Sequence, residues 1–275
     1  MKQNKLESFL KGMIIGGTML VPGVSGGSMA MILGIYSRLV SSVSSFTKDK
    51  KGNFLFLVIF SLGGGTGMLL FARPLLSLIE RYPMPMLYFF LGAVAGGVPL
   101  IFREAKIKSF SWRIFLYAGL GLILVIAFSL LPEGGLQSEM NAGILSFCLL
   151  LLAGFLAATA LVLPGISVSY VLLLLGLYDE TMRAISQLYL PFLVPLGLGL
   201  ILGIVLTTRI LERAMERHPQ FTYLLILGFV LGSMCQVFPG IPASGMEFFI
   251  CLLMLAAGFY VIRLLSLAER KTESE

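Results

Sequence analysis

Two short stretches interrupt otherwise apolar sequence with residues suited to holding an anion. They are Pro22-Gly23-Val24-Ser25-Gly26-Gly27-Ser28 and Pro164-Gly165-Ile166-Ser167-Val168-Ser169. Proline removes a backbone donor and glycine opens non-helical angles, so Pro22, Gly23, Pro164 and Gly165 break a helix twice. Serine is a strong N-cap, so a new helix begins after each break. The first N–H groups of that helix lack internal partners, and its end carries a partial positive charge. Such an end attracts a phosphate or carboxylate, and glycine lets a bulky anion reach the backbone. The expected cradle is Ser25, Gly26, Gly27, Ser28, Ser167 and Ser169. The competing reading is a pair of structural kinks whose serines satisfy freed backbone; duplication of the stretch weighs against it.

Few other side chains offer chemistry. Arg73 and Arg209 are expected to end equivalent helices, where a guanidinium can grip phosphate oxygens in two-pronged fashion or snorkel as an interfacial anchor. The pairs Glu80-Arg81 and Glu216-Arg217 have three readings: gating salt bridges, proton carriers, or plain helix-end ion pairs. His218, the only histidine, matches Tyr82 in a repeat and reads as interfacial rather than catalytic. Cys148, Cys235 and Cys251 lie inside apolar runs without CxxC spacing, which suggests packed thiols; no metal site is expected. The tract Gly63-Gly64-Gly65-Thr66-Gly67 reads as a close-packing helix face, since no Walker lysine follows it.

The elements that must hold these residues follow from composition. Of 275 residues, 57% are hydrophobic, and only 20 are basic and 14 acidic. A soluble domain carries about 25% charged residues, roughly twice the fraction here. Disorder, a coiled coil and a disulfide scaffold are excluded, and the composition argues against an ordinary cytosolic enzyme. At about 20 apolar residues per crossing there is room for about seven or eight transmembrane helices in one integral membrane domain. The apolar runs fall at roughly 9–44, 53–72, 84–102, 112–131, 141–178, 190–208, 220–238 and 246–265, none with strand alternation. The net charge of +6 sits in gaps between runs, without the basic-aromatic interleaving of a nucleic-acid surface. The amino-terminal lysines resemble a signal peptide, but the apolar stretch continues past Pro22-Gly23 without a clear cleavage site and reads as mature structure.

The chain repeats itself. At an offset of 142 residues, Gly12 meets Gly154, Pro22-Gly23 meets Pro164-Gly165, Ser25 meets Ser167, and Leu33-Gly34 with Tyr36 meets Leu175-Gly176 with Tyr178. At an offset of 136, Arg73 meets Arg209, Glu80-Arg81-Tyr82-Pro83 meets Glu216-Arg217-His218-Pro219, and Gly63, Gly67, Gly92 and Gly96 meet Gly199, Gly203, Gly228 and Gly232. The expected repeats are 1–135 and 136–275. Each holds a broken re-entrant helical hairpin, at about 9–44 and 141–186, followed by three transmembrane helices. Three crossings between equivalent points invert the second copy. With both termini in the cytoplasm, all basic residues except Arg73, Arg81 and Arg183 fall on the cytoplasmic side, as the positive-inside rule requires. Run 141–163 is also long enough to span by itself.

The motifs Gly16-Gly17-Thr18, Val21-Pro22-Gly23-Val24-Ser25-Gly26-Gly27-Ser28 and Leu33-Gly34-Ile35-Tyr36 resemble those of a bacterial membrane family formerly known as domain of unknown function family 368. The second copy, Leu163-Pro164-Gly165-Ile166-Ser167 with Leu175-Gly176-Leu177-Tyr178, completes the likeness, which covers nearly the whole chain. Ser28 stands where the family pattern has threonine, and its counterpart Tyr170 makes the two copies unequal. The resemblance implies a polyprenyl-phosphate transporter of the bacterial plasma membrane that returns undecaprenyl phosphate from the outer to the inner leaflet by alternating access, not an enzyme. It implies no cofactor; a coupling proton or sodium ion stays open. The partners it implies are the lipid substrate and the bilayer, with no nucleic acid.

Two other functions share these features. An undecaprenyl-pyrophosphate phosphatase also uses a doubled Pro-Gly-x-Ser motif, but there an arginine and a further serine stand where this chain has Gly26 and Gly27. A small-anion transporter or channel would use the same helix ends without an opening toward lipid.

Overall fold

The structure, a computed structural model, describes residues 5–19, 25–107, 111–131 and 143–274, with side chains through 264. Pro22, Gly23 and the expected repeat boundary at 135/136 lie outside the described residues. Twelve α-helices and no strand occur among the described residues. In chain order the first six are α1 (Lys5–Thr18), α2 (Gly26–Ile32), α3 (Tyr36–Ser44), α4 (Lys50–Arg81), α5 (Pro83–Glu104) and α6 (Trp112–Ser129). The second six are α7 (Ile144–Val162), α8 (Val168–Leu174), α9 (Tyr178–Gln187), α10 (Leu190–Arg217), α11 (Pro219–Val237) and α12 (Gly245–Ser274). Seven helices are long and apolar enough to cross a membrane: α4, α5, α6, α7, α10, α11 and α12. Their outward faces carry exposed apolar side chains such as Leu69, Ile144 and Leu264, a surface that only lipid solvates well. The protein is a multi-pass membrane protein.

Each interrupted apolar run is broken twice, not once. The second breaks fall at Leu33-Gly34-Ile35 and Leu175-Gly176-Leu177. Gly34 (φ 64°) and Gly176 (φ 70°) take left-handed backbone that other residues resist. Around them the Ile35 N–H bonds the Ala30 carbonyl at 3.0 Å and the Leu177 N–H bonds the Leu172 carbonyl at 2.8 Å, which closes each short helix as a Schellman motif. The glycine of Leu-Gly-x-Tyr is therefore a helix stop.

Helices α4 and α10 extend well past their apolar runs. At 32 and 28 residues they measure about 48 and 42 Å, against a hydrocarbon core of about 30 Å. Arg73 and Arg209 consequently do not end helices, as the sequence suggested; each lies about two turns inside. The ends come at Tyr82 and His218, with nearly equal backbone angles (φ −136°, ψ 61° and φ −132°, ψ 59°), and Pro83 and Pro219 start the next helix.

Packing repeats atom for atom at the glycines. A Cβ on Gly12 would strike the Phe60 carbonyl, and one on Gly154 the Leu196 carbonyl. Gly63 and Gly67 lie against the carbonyls of Phe9 and Met13; their counterparts Gly199 and Gly203 lie against those of Leu151 and Phe155. Both sequence offsets are preserved in space. The contacts advance together along both chains, so α1 runs parallel to α4, and α7 runs parallel to α10. Between parallel partners the chain must turn back, through α2–α3 in one case and α8–α9 in the other. Helix α5 packs parallel to α12, with Gly92 against Leu255 and Gly96 against Phe259; α6 packs parallel to α11, with Gly228 against Ala118. These last two pairs join the halves of the chain. The tract at Gly63–Gly67 is the close-packing face expected of it, although Gly65 faces open space.

The cysteines are free thiols, but only Cys251 is packed; Cys148 and Cys235 are exposed on apolar helices. Periodicity does not separate a lipid-facing position from a buried one in an all-round apolar helix.

The glycine contacts generate a stability prediction. Gly154→Val should lower stability by about 1–3 kcal/mol, the usual cost of forced overpacking. Gly65→Ala should leave it unchanged or slightly raised. Thermal unfolding of the two purified variants in detergent checks both, and an unshifted midpoint for Gly154→Val would contradict the packing.

Candidate functional site

The site is built where the two breaks meet. Ser25 sits in extended backbone (φ −79°, ψ 134°) and caps α2, its Oγ accepting the Ser28 N–H at 3.5 Å. Ser167 repeats this (φ −89°, ψ 127°) at the start of α8, accepting the Tyr170 N–H at 3.4 Å. A Cβ on Gly27 would lie 3.2 Å from Pro164 Cα and 3.3 Å from Pro164 N. A glycine of one break thus rests against the proline of the other. Gly165 (φ 85°) packs still more closely on the Phe229 carbonyl of α11, where no side chain fits.

A buried hydrogen bond ties the two regions together. The Tyr36 hydroxyl donates to the Val162 carbonyl at 2.7 Å. Val162 ends α7, and its carbonyl is among the last four that a helix leaves without internal partners. The tyrosine of the first Leu-Gly-x-Tyr therefore caps the helix that leads into the second Pro-Gly break. Beside it, the hydroxyls of Ser37 and Tyr223 lie 2.9 Å apart, which ties α3 to α11.

The two copies differ at the position the sequence marked as unequal. Ser28 is buried, and its Oγ has no partner among the described residues. Its counterpart Tyr170 reaches away, and its hydroxyl donates to the Ser129 carbonyl at 2.9 Å at the end of α6. Gly26 and Gly27 border a cavity of about 250 Å³ that also touches Tyr36, Val162 and Thr208. A second cavity, of about 460 Å³, lies beside Ile166 between α6, α7 and α8.

Of the residues singled out by sequence, Ser25, Gly26, Gly27, Ser28, Pro164 and Gly165 come together around the junction. Ser167 and Ser169 are exposed just after the second break. Arg209 follows the cavity-lining Thr208 on α10, while Arg73 lies two residues beyond Phe71, which packs on Gly17 near the end of α1. Both arginines are exposed and make no ion pair or side-chain hydrogen bond among the described residues. Glu80, Arg81, Glu216 and Arg217 stand exposed at the ends of α4 and α10, unpaired with one another, so the gating salt bridge is not formed here. Among the described residues no three His, Cys, Asp or Glu side chains converge on a metal-sized space.

Sequence reasoning passed over three groups. Tyr36 stood there only as part of the repeated Leu-Gly-x-Tyr motif, without a role of its own; Tyr223 carried no motif. Glu212 on α10 accepts from Ser44 Oγ at 2.6 Å and Ser45 Oγ at 3.1 Å, pinning the end of α3. Its counterpart in the first copy is Leu76, so a search guided by duplication discards it.

Removing the Tyr36 hydroxyl leaves a buried carbonyl unpaired, at a cost of about 1–3 kcal/mol. Tyr36→Phe should lower the thermal midpoint accordingly, whereas Tyr170→Phe, whose hydroxyl is less buried, should cost less. The ranking is read from the two unfolding curves, and equal midpoints would contradict it.

Comparison with known proteins agrees with this architecture. The family profile described as VCA0040-like, undecaprenyl phosphate translocase-like, matches residues 15–246. A polyprenyl-phosphate transporter of Staphylococcus aureus (strain NCTC 8325 / PS 47) is 33% identical over 275 residues, covering 95% of this chain and 96% of the relative. A polyprenyl-phosphate transporter of Vibrio cholerae serotype O1 (strain ATCC 39315 / El Tor Inaba N16961) is 30% identical over 250 residues, covering 86% of this chain and 78% of the relative. No solved structure matches the chain. Both relatives are named as transporters, which sets the chain among transporters and not enzymes. With twin broken helices that abut and a profile match across most of its length, the chain belongs to the VCA0040-like, undecaprenyl phosphate translocase-like family.

Proposed function

We propose that the protein returns undecaprenyl phosphate from the outer to the cytoplasmic leaflet of the bacterial plasma membrane, where the carrier re-enters cell-envelope synthesis. The observation that carries this reading is the abutment of Gly27 on Pro164, in a chain whose relatives are named polyprenyl-phosphate transporters. The lipid is a phosphate on a long apolar tail. Its tail is soluble in the bilayer throughout, and the cost lies in moving the charge through hydrocarbon. Backbone N–H groups and hydroxyls of Ser25, Gly26, Gly27, Ser28, Ser167 and Ser169 replace the water that the phosphate gives up. Arg73 and Arg209 supply opposite charge from the two sides. The Glu80-Arg81 and Glu216-Arg217 pairs gate or couple the step; no cofactor is needed, and the coupling ion is a proton, sodium or neither.

The repeats, 1–135 and 136–275, are inverted, and each begins with a re-entrant hairpin. Parallel packing of α1 on α4 and of α7 on α10 supports this, because one reversal through two short helices restores the direction. Without that reversal α5 and α12 would run antiparallel, whereas they run parallel. The distribution of Lys and Arg favours cytoplasmic termini.

Alternating access follows from an inequality between the halves. Helix α3 packs on α10, with the Glu212 clasp at its end, while among the described residues α9 has no comparable packing on α4. Exchange of these two arrangements opens one face as it closes the other.

Purified protein in liposomes should accelerate leaflet exchange of labelled undecaprenyl phosphate over empty liposomes; no acceleration by folded protein sinks the reading. Arg209→Ala should slow exchange about tenfold or more, given ~1.5–3 kcal/mol for a charge-assisted hydrogen bond, with expression unchanged. In a background without native cysteines, Lys48→Cys and Arg183→Cys should label from opposite faces. Labelling from one face would break the inverted topology.

A further inference from the structure

The cavity beside Gly26 and Gly27 has a character that the phosphate does not explain. Its walls come from both halves of the chain: Ile15, Leu39, Val40, Val43 and Phe60 from the first, Ile204 from the second. Among the described residues no charged side chain lines it. Two of the described lining residues bear hydroxyls, and both turn them elsewhere. Tyr36 donates to the Val162 carbonyl at 2.7 Å, and Thr208 donates to the Ile204 carbonyl of its own helix at 2.7 Å. An anion inside would lose its water without gaining a side-chain donor, whereas hydrocarbon is favoured there. Polar backbone is offered at the margin, where Gly27 rests against Pro164 of the second break and Gly26 beside it packs on Met19.

A phosphate alone poses a selection problem. The bilayer is full of other phosphate-bearing lipids with straight acyl chains, and discrimination is a difference of affinities that the shared headgroup does not supply. What sets a polyprenyl phosphate apart is the branched, unsaturated hydrocarbon next to the phosphate. A pocket of about 250 Å³ lined by aliphatic and aromatic side chains has room for methyl branches. A straight saturated chain leaves part of such a space empty and forfeits the dispersion contacts of its lining.

We propose that this cavity is a prenyl-recognition subsite that takes the first isoprene unit or units of the lipid. The phosphate then lies outside it at the Gly26-Gly27 margin, and the rest of the tail stays in the bilayer. The proposal rests on the function proposed above and adds to it the group by which the substrate is chosen.

The test is competition in proteoliposomes that exchange undecaprenyl phosphate. Farnesyl phosphate and dodecyl phosphate share a headgroup and main-chain length and differ in branching and unsaturation. Farnesyl phosphate should inhibit at about tenfold lower concentration or less, the discrimination a shaped apolar pocket achieves. Val43→Phe fills the cavity and should bring the ratio of the two inhibitory concentrations toward one. Leu39→Ala, which widens the cavity, should also reduce it and serves where Val43→Phe does not reconstitute. Equal inhibition by both compounds in transport-active wild type overturns the subsite alone, as does an unchanged ratio in a transport-active Val43→Phe. Wild type that exchanges no undecaprenyl phosphate overturns the proposed function itself, and the subsite with it.

Discussion

Backbone that leaves the helix inside a bilayer must find partners within the protein, because hydrocarbon offers none. Much of this structure answers that demand. Ser25 and Ser167 take up N–H groups at the helix starts, and Schellman closures at Gly34 and Gly176 take up carbonyls at the helix stops. Tyr36 takes up the Val162 carbonyl across the chain, and Tyr170 the Ser129 carbonyl. Because the Tyr36 bond crosses between the halves, satisfying the backbone also sets the breaks side by side. The junction proposed to hold the phosphate is thus a by-product of the same accounting that makes broken helices tolerable in a membrane.

The surrounding helices hold this junction through glycine. Where backbone meets backbone without an intervening side chain, dispersion contact is dense and register is fixed to within a residue, since each Cβ on the wrong face strikes a carbonyl. Two such seams, α1 on α4 and α7 on α10, lie within the halves; two more, α5 on α12 and α6 on α11, lie between them. The halves share these close contacts yet differ around their short helices: α3 is clasped to α10 by Glu212, and among the described residues α9 has no equivalent clasp. Side-chain hydrogen bonds of that kind are easier to exchange than glycine seams, so difference between the halves concentrates where motion costs least.

Much of the framework was legible in the residues. Proline, glycine and serine report their local backbone directly, so the serine caps and the short helices that start after them could be read from spacing. Helix ends in charged segments were harder. Arg73 and Arg209 looked terminal because hydropathy falls there, but helix geometry does not stop where hydropathy does, and α4 and α10 run on to Tyr82 and His218. The second breaks at Gly34 and Gly176 were present as Leu-Gly-x-Tyr, but a lone glycine in an apolar run is tolerated within helices as often as it ends them.

The sequence by itself determined what depends on short-range chemistry: the membrane class from composition, the capped helix starts from Pro-Gly-x-Ser, and the family from motifs. Only the tertiary structure decided that Gly27 rests on Pro164, that Tyr36 caps Val162, that Glu212 binds two serines, and that the cavity beside Gly26 and Gly27 is lined by hydrocarbon. Those contacts join residues more than a hundred positions apart. They arise from how two helical sets seat against one another, and no local pattern of residues encodes that fit.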